Sequence, residues 1–417
     1  MSTSRTPDTA AIQLAHIGAF DFNNYGDLLF APVVNHAIRD RLPDACVTLY
    51  SPRKSSFAVD GRYITRPLST LHSRRDLAGI VIGGGDVIQT NFQALWGLYG
   101  TDVRYPHAPY RLTKFLNRLT DAGMRLRCGR ASDAAQWWAA RFGYSSVSPF
   151  IPAPAMISSR DCKVIYNAVG VGALADNCDR ATLATVADCV SRADYISVRD
   201  QESAQQLRAI GVTRPIQVVP DVALAIGRTF LPSDISAHGR SLLEAKGLDL
   251  RRPTLCIHAI PHESSARGQF IEALQLFRRS RKANIVLVPV RSWTHDLWRM
   301  EELAQSLTGV TLFRRYLPPR SIAAIFAVSD FAITGGLHTL VTAIAYGRPV
   351  RALPTSSSKI IGLLAQLGLD DLRIATGDVL AGVQGVDTID LTRIVRSRDR
   401  ALGQIDLHFD QVARLLS

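Results

Sequence analysis

The chain alternates short apolar runs with helical stretches, and this alternation restricts its fold more than any other feature. The runs are rich in β-branched residues and end in Gly, Asn, Asp or Arg; in the first half they are IQLAHIGAF, GIVIGGGDVI, CKVIYNAVGVG, YISVRD and IQVVPDVAL. Helical patterns such as residues 28–41 and 200–211 separate them. Strands that alternate with helices are typical of doubly wound parallel sheets.

A second series of the same kind begins after about residue 250. Its predicted strands are PTLCIHAI, ANIVLVPV, VTLFRRY and FAITGG, with helices through 268–279 and near 296–307 and 319–328. At 417 residues the chain is too long for one ordinary hydrophobic core. We therefore predict an α/β protein of two Rossmann-like parallel-sheet domains, 1–225 and 250–400, with residues 226–249 as the linker region.

Composition narrows the class of protein. Hydrophobic residues make up 47% and charged residues 20%, which fits a globular enzyme. No apolar run reaches the roughly 18 to 20 residues that span a bilayer, and the N-terminus shows no signal peptide. We expect a cytoplasmic protein. The six cysteines lie far apart, without the paired spacing of a zinc site, so no metal site is predicted.

The net charge of +12 indicates an anionic partner. No nucleic-acid-binding signature is present, so we expect no nucleic-acid partner. The densest basic cluster is YRLTKFLNRLTDAGMRLRCGR, residues 110–130. A solvated helix face is its simpler interpretation, and peripheral contact with the inner face of a membrane is the alternative.

Ligands of parallel sheets bind outside the carboxyl ends of the strands, so the residues at those ends are the candidates for a site. Asn24 and Asp27 follow the first strand, where helix capping and ligand contact are both reasonable roles. Gly84, Gly85 and Asp86 follow another strand. The glycines have neither the spacing of a dinucleotide site nor the lysine of a P-loop, so no such cofactor is predicted. A tight turn and close approach to a ligand both explain them.

Cationic side chains follow three further strands or open the helices after them. Arg199 presents a planar guanidinium suited to carboxylate or phosphate, while Asp200 is a natural helix N-cap. His338 opens a helix after FAITGG, where unpaired backbone N–H groups favour an anion. Lys359 also stands at a helix start, where a cation opposes the helix dipole unless an anion lies between them.

These motifs together resemble the polysaccharide pyruvyl transferase family. The resemblance runs from about residue 14 to 370 and depends on NNYGD, IGGGDVIQ, VGVGAL, ADYISVRDQESAQQLRAIGV, VVPDVAL, GGLHTLVTAIAYGRPV and Lys359. The block from SVRDQES to the PD of VVPDVAL is the most specific part. The resemblance implies a fold similar to the glycosyltransferase-B class, with two domains facing a cleft, and transfer of a pyruvyl group from phosphoenolpyruvate to two hydroxyls of a sugar as a cyclic ketal.

The resemblance also implies roles for particular residues. Arg199 matches the family arginine that contacts phosphoenolpyruvate, and His338 matches the proposed acid catalyst. Lys359 and Gly336 are further donor-binding candidates, and the substrate cleft would be lined by Asn24, Asp27, Gly84, Gly85, Asp86 and Asp221. Many members have Arg where this chain has Gly336. The replacement cation is left open among Arg314, Arg315, Arg348 and Lys359.

Histidine suits the chemistry of this reaction, because ketal formation needs a proton delivered to the methylene carbon and the unperturbed pKa of histidine lies near working pH. Phosphoenolpyruvate would be a co-substrate rather than a cofactor. The acceptor is left open between a lipid-linked unit, a nucleotide sugar and a finished polymer. Two other functions remain: a nucleotide-sugar glycosyltransferase, for which no acidic ribose-binding residue is evident, and a non-catalytic member of a polysaccharide assembly pathway, which the Gly336 departure favours.

Overall fold

The computed structural model describes most of the chain, and every structural statement below concerns these residues. They are 11–22, 24–55, 64–89, 95, 137, 139–140, 148–152, 157–159, 161–172, 174–259, 261, 263–290, 296–315, 317–354 and 357–417. The basic stretch at 110–130, on which the expected membrane contact depends, lies outside them. No helix in the described ranges combines the length and apolarity that crossing a bilayer requires.

A seven-stranded parallel sheet forms the first half. Its order is β3-β2-β1-β4-β5-β6-β7, and every pairing is parallel. The strands are β1 (Ile12–Ile17), β2 (Ala45–Ser51), β3 (Arg66–Pro67), β4 (Leu77–Gly83), β5 (Lys163–Val169), β6 (Tyr195–Val198) and β7 (Ile216–Val218). The helices of this half are α1 (Tyr25–Arg41), α2 (Leu174–Asn177), α3 (Arg180–Ser191) and α4 (Gln201–Ala209).

A five-stranded parallel sheet forms the second half, in the order β10-β9-β8-β11-β12. Its strands are β8 (Thr254–His258), β9 (Asn284–Leu287), β10 (Thr311–Leu312), β11 (Phe331–Thr334) and β12 (Val350–Ala352). The helices that follow the first half are α5 (Ile226–Thr229), α6 (Pro232–Glu244), α7 (Ser264–Arg281), α8 (Asp296–Ser306), α9 (Pro319–Val328), α10 (Leu337–Ala345), α11 (Ser358–Leu367), α12 (Val379–Gln384) and α13 (Leu391–Leu416). The predicted pair of parallel-sheet α/β halves is confirmed.

Local chemistry explains where the elements begin and end. The side chain of Asp200 accepts a hydrogen bond from the backbone N–H of Ser203, which makes Asp200 the N-cap of α4 as predicted. Pro319 occupies the first turn of α9, where its missing N–H costs nothing. Gly368 ends α11 in the left-handed conformation that glycine adopts without strain.

One hydrophobic cluster runs through both halves of the molecule. It contains Leu14 and Val81 of the larger sheet, Ala332 and Val350 of the smaller sheet, and the apolar side of α1 between them. A short 3₁₀ helix, Val222–Ala225, also lies in this cluster. Burial of apolar surface therefore stabilises the contact between the halves as well as each sheet.

Two helices connect the halves beyond this core. Helix α6 lies in the segment 226–249, predicted to be the linker region, and Gly239 in it approaches the backbone carbonyl of Ala324 in α9 closely. Helix α13 returns to the first half, where Leu416 packs beside Gly79 of β4. The domain bounds drawn from the sequence stay a prediction.

Candidate functional site

Helix α10 places His338 between the two halves. The helix is apolar on almost every face, so Leu340, Val341 and Ile344 bury it against the core. Gly336 is its N-cap and makes no side-chain capping bond, while the Thr334 hydroxyl accepts the N–H of Gly336 at 3.0 Å. His338 is therefore not the capping residue of this helix.

The imidazole of His338 packs against α1 of the first half. Its ring and that of Phe30 are arranged edge to face, with 5.4 Å between the ring centroids. A Cβ atom on Gly26 would overlap Nδ1 of His338. The absence of a side chain at position 26 is therefore what lets the imidazole lie so close to the first turn of α1.

Asp221 joins His338 to Arg199 across the interface of the halves. Its Oδ2 lies 3.8 Å from Nε2 of His338 and 3.8 Å from a terminal nitrogen of Arg199. Its Oδ1 accepts the N–H of Ala223 at 3.0 Å and so caps the 3₁₀ helix. Asp221 is 2% exposed, and Oδ2 has no hydrogen-bond partner in the part of the chain that the structure describes. Arg199 therefore compensates the buried negative charge of Asp221 at a distance longer than a hydrogen bond.

Arg199 is surrounded by carboxylates. It is 4% exposed on its side chain, lies 3.6 Å from Asp200 and makes a charge-assisted hydrogen bond to Asp86. The same Asp86 carboxylate forms an ion pair with Lys359 of the second half. The two predicted donor-binding cations therefore share Asp86, which follows β4 of the larger sheet.

The environment of Lys359 is partly desolvated. Burial lowers the pKa of its ammonium, and the negative charge of Asp27 acts in the opposite direction. Asp27 in turn accepts a hydrogen bond from the Asn24 amide at 2.7 Å. Asn24 is the N-cap of α1, because its side-chain oxygen accepts the N–H of Gly26 at 3.3 Å. Asn24 is therefore the capping residue in NNYGD, and Asp27 extends toward the charged cluster formed by Asp86, Arg199 and Lys359.

The glycines after β4 are required by the backbone and by close neighbours. Gly84 and Gly85 have φ of 96° and 76°, the left-handed region that other residues rarely adopt. A Cβ on Gly84 would overlap the Phe30 ring, and one on Gly85 would overlap Oδ1 of Asp27. The turn explains both glycines, and it also brings Asp86 beneath Arg199.

Three of the four cations proposed to compensate for Gly336 lie elsewhere. Arg314 and Arg315 are exposed and follow β10, the strand at the outer edge of the smaller sheet, and Arg314 pairs with Glu301 at 3.5 Å. Arg348 follows the C-terminal end of α10, about 13 Å of helix away from the end that carries His338. Of the four cations, only Lys359 lies in the charged cluster with Asp86 and Arg199.

Sequence reasoning did not single out His258. It is the last residue of β8 and is buried, and its ring lies directly beside Gly336. The sequence does show a histidine at the carboxyl end of a predicted strand. A histidine that only fills a core position shows the same pattern, so the sequence could not distinguish the two roles.

Two solved structures are similar to the chain in overall fold. The chain is similar to UDP-GlcNAc 2-epimerase from Neisseria meningitidis bound to UDP-GlcNAc, with 10% identity, 94% of this chain and 99% of the other covered, and a TM-score of 0.50. It is also similar to MnaA of S. aureus in a structure with UDP, with 11% identity, 96% and 97% covered, and a TM-score of 0.50. The molecule thus has the two-domain architecture of the glycosyltransferase-B class, as predicted.

The family follows from the sequence match. A model of the family described as polysaccharide pyruvyl transferase matches residues 24–119 and 138–357, most of the chain. The chain belongs to the polysaccharide pyruvyl transferase family. The matched segments contain Asn24, Asp86, Arg199, Asp221 and His338, while Lys359 lies two residues beyond them. No curated protein sequence matches the chain.

Proposed function

We propose that this protein transfers the pyruvyl group of phosphoenolpyruvate to two hydroxyls of a sugar, forming a cyclic ketal during the synthesis of a cell-surface or secreted polysaccharide. The observation that carries this proposal is the contact of Asp221 with both Arg199 and His338, because it joins an anion-binding group and a proton donor from different halves. Membership of the family supports the reaction type.

The proton would come from His338. The carboxylate of Asp221, 3.8 Å from Nε2, would stabilise a positively charged imidazole. Transfer of the Nε2 proton to the methylene carbon of phosphoenolpyruvate converts that carbon to a methyl group. The neighbouring carbon, which carries the phosphate, becomes an oxocarbenium-like centre.

Two sugar hydroxyls would then complete the ketal. The first hydroxyl attacks the oxocarbenium-like carbon and releases its proton, and the second attacks as the C–O bond to phosphate breaks. Of the two hydroxyl protons, one leaves on inorganic phosphate and the other restores the imidazolium. The products are one inorganic phosphate and a sugar ketal that carries one carboxylate, so atoms and charges balance.

Donor binding would compete with Asp86. In this structure the Asp86 carboxylate contacts both Arg199 and Lys359. The phosphate and the carboxylate of phosphoenolpyruvate offer these cations the same kind of charge-assisted hydrogen bond. We infer that an anionic donor would take the place of the Asp86 carboxylate, which pairs the buried Arg199 and the more exposed Lys359 until the donor arrives.

Phosphate release tests the proposal. The purified protein would be incubated with phosphoenolpyruvate and a panel of sugars, including lipid-linked and nucleotide-activated ones, and phosphate would be measured together with the mass of each sugar. We expect phosphate release that depends on one class of acceptor, and a product heavier by one pyruvyl ketal. Release of a nucleotide from a nucleotide sugar, with phosphoenolpyruvate unused, would instead identify a glycosyltransferase.

A further inference from the structure

The imidazole of His258 occupies the space that a side chain at position 336 would enter. A Cβ on Gly336 would lie 2.8 Å from Cδ2 and 2.9 Å from Nε2 of His258, both closer than ordinary van der Waals contact. Gly336 precedes His338 by two residues and is the N-cap of α10. His258 therefore lies at the opening of the helix that carries the proposed acid.

Hydrogen bonding orients the His258 ring. Its Nδ1 lies 3.3 Å from the carbonyl oxygen of Val288. Because a carbonyl only accepts hydrogen bonds, Nδ1 carries a proton, and Nε2 is the nitrogen on the side of Gly336. Asp296, the first residue of α8, places Oδ2 4.0 Å from Nε2, and its negative charge favours a proton there as well.

The backbone beside His258 is strained. Ala259 has a φ of 75°, the left-handed region that its Cβ disfavours, and it follows the strand end directly. The N–H of Gly335 donates to the carbonyl of His258 at 2.9 Å and ties this strand end to the loop before α10. Strain of this kind persists where surrounding contacts impose it, and it concentrates at functional sites.

We propose that His258 is a further donor-binding residue, whose Nε2 donates to an anionic group of phosphoenolpyruvate beside Gly336. The proposal rests on the proposed function. This donation requires protons on both ring nitrogens, and the carboxylate of Asp296, 4.0 Å from Nε2, favours the second one. Arg199 of the first half and Lys359 of the second half share the carboxylate of Asp86. His258 thereby makes the contact that a side chain at 336 cannot make.

Two substitutions separate binding from a structural role. The amide of His258→Asn reaches the position of Nδ1, so it keeps the bond to Val288 and lacks the Nε2 end; the amide of His258→Gln reaches the position of Nε2. Isothermal titration should show phosphoenolpyruvate binding about 10- to 100-fold weaker for the Asn variant, the weight of one hydrogen bond to a charged group. The Gln variant should recover part of that loss.

A histidine outside the proposed site provides the control, and two results would contradict the proposal. His238→Asn alters a histidine of α6 that contacts Ser321 at 2.8 Å, and it should leave donor affinity unchanged. If the unaltered protein and His258→Asn bind phosphoenolpyruvate equally well, the proposed function stands and the assignment of His258 fails. If the unaltered protein does not bind it, the proposed function fails and the assignment fails with it.

The contact with Gly336 gives a second, independent test. Gly336→Ala needs no unusual backbone conformation, because φ is −110°, so its effect comes from the added methyl group, which meets the His258 ring and, at 3.0 Å, the Thr339 hydroxyl. We expect Gly336→Ala to weaken donor binding in the native background and to have a smaller effect beside His258→Asn. Equal losses in both backgrounds would contradict the proposal.

Discussion

At the scale of single residues, His338 occupies a position that combines proximity to a carboxylate with limited access to water. Its side chain is 17% exposed and lies 3.8 Å from Asp221. Gly336 rather than His338 caps α10, so loss of the imidazole removes no capping bond. Changing it should therefore lower turnover without the loss of stability that a missing cap would cause.

We expect His338→Gln to lower turnover by about two to four orders of magnitude, because glutamine keeps a hydrogen-bond donor but delivers no proton in this pH range. Phosphoenolpyruvate affinity should change far less, since Arg199 and Lys359 remain. Turnover, donor affinity and melting temperature would be measured on the same preparation. A folded variant that retains most of its activity would exclude His338 as the acid.

Gly26→Ala tests the packing of the same imidazole from the opposite side. Alanine is the better residue in a helix by up to about 1 kcal/mol, but its methyl group would overlap Nδ1 of His338. Displacement of the ring should lower turnover by about 100-fold, while the protein stays folded. Native-like activity would show that the ring is not held at this contact.

A matched control for this substitution exists in α13. Gly403 is also a helical glycine, and a Cβ there meets nothing within 4 Å. Gly403→Ala should raise stability by about 1 kcal/mol and leave turnover unchanged. The difference between the two variants then reports the contact with His338 alone.

Sequence reasoning could predict which residues stand at the strand ends, but not how they pair. Asp86, Arg199, Asp221, His338 and Lys359 all follow strands, and the carboxyl ends of parallel strands meet at one edge. The sequence does not show that the single carboxylate of Asp86 contacts both cations. This contact depends on the reach of side chains from two sheets, which no local sequence pattern encodes. The role of Gly26 was hidden for the same reason, because the group that excludes a side chain there comes from residue 338.

At the scale of elements, helix α13 joins the end of the second half to the larger sheet. His408 in this helix is buried, with Nε2 2.6 Å from the Asn167 side-chain oxygen and Nδ1 3.0 Å from the Tyr195 hydroxyl. Arg41 of α1 contacts Asp406 and Asp410 nearby at 3.2 and 2.6 Å. An amphipathic pattern predicts that such a helix is partly buried, but it does not specify which sheet covers it.

The burial of His408 predicts how stability depends on pH. Burial, and secondly the charge of Arg41, lower the pKa of His408 to about 3, against about 6.5 in an unfolded chain. The unfolded state therefore binds the extra proton between these values, so this contribution is complete above pH 6.5 and is lost as pH falls toward 3. For one group the slope is about 1.4 kcal/mol per pH unit.

We expect His408→Gln to flatten this dependence. Its amide nitrogen can keep the bond to Asn167, and the lost bond to Tyr195 costs about 1 kcal/mol at pH 7. Between pH 6 and pH 4.5 the free energy of unfolding should then fall less steeply than in the native protein. The two slopes should differ by the amount due to one proton, about 1.4 kcal/mol per pH unit. Denaturant unfolding at several pH values measures this, and parallel curves would show that His408 does not supply the proton.

At the scale of the whole molecule, the two halves share a core and the candidate site lies where they meet. The hydroxyl of Tyr25 in α1 lies 2.7 Å from that of Thr342 in α10, and the N–H of Tyr25 donates to Val290 of the second half. The alternation of strands and helices was enough to predict two parallel sheets. The side-chain contacts between the two sheets were not predictable, because they depend on buried residues from distant parts of the chain.

The return of α13 to the first half has a consequence for synthesis. The last strand of the larger sheet ends at Val218, whereas α13, the helix that covers part of this sheet, begins at Leu391. At ordinary translation rates these positions leave the ribosome roughly 10 to 35 seconds apart. During that interval α13 is not yet there to cover the apolar residues of the larger sheet, so we expect the emerging chain to bind chaperones until α13 is made.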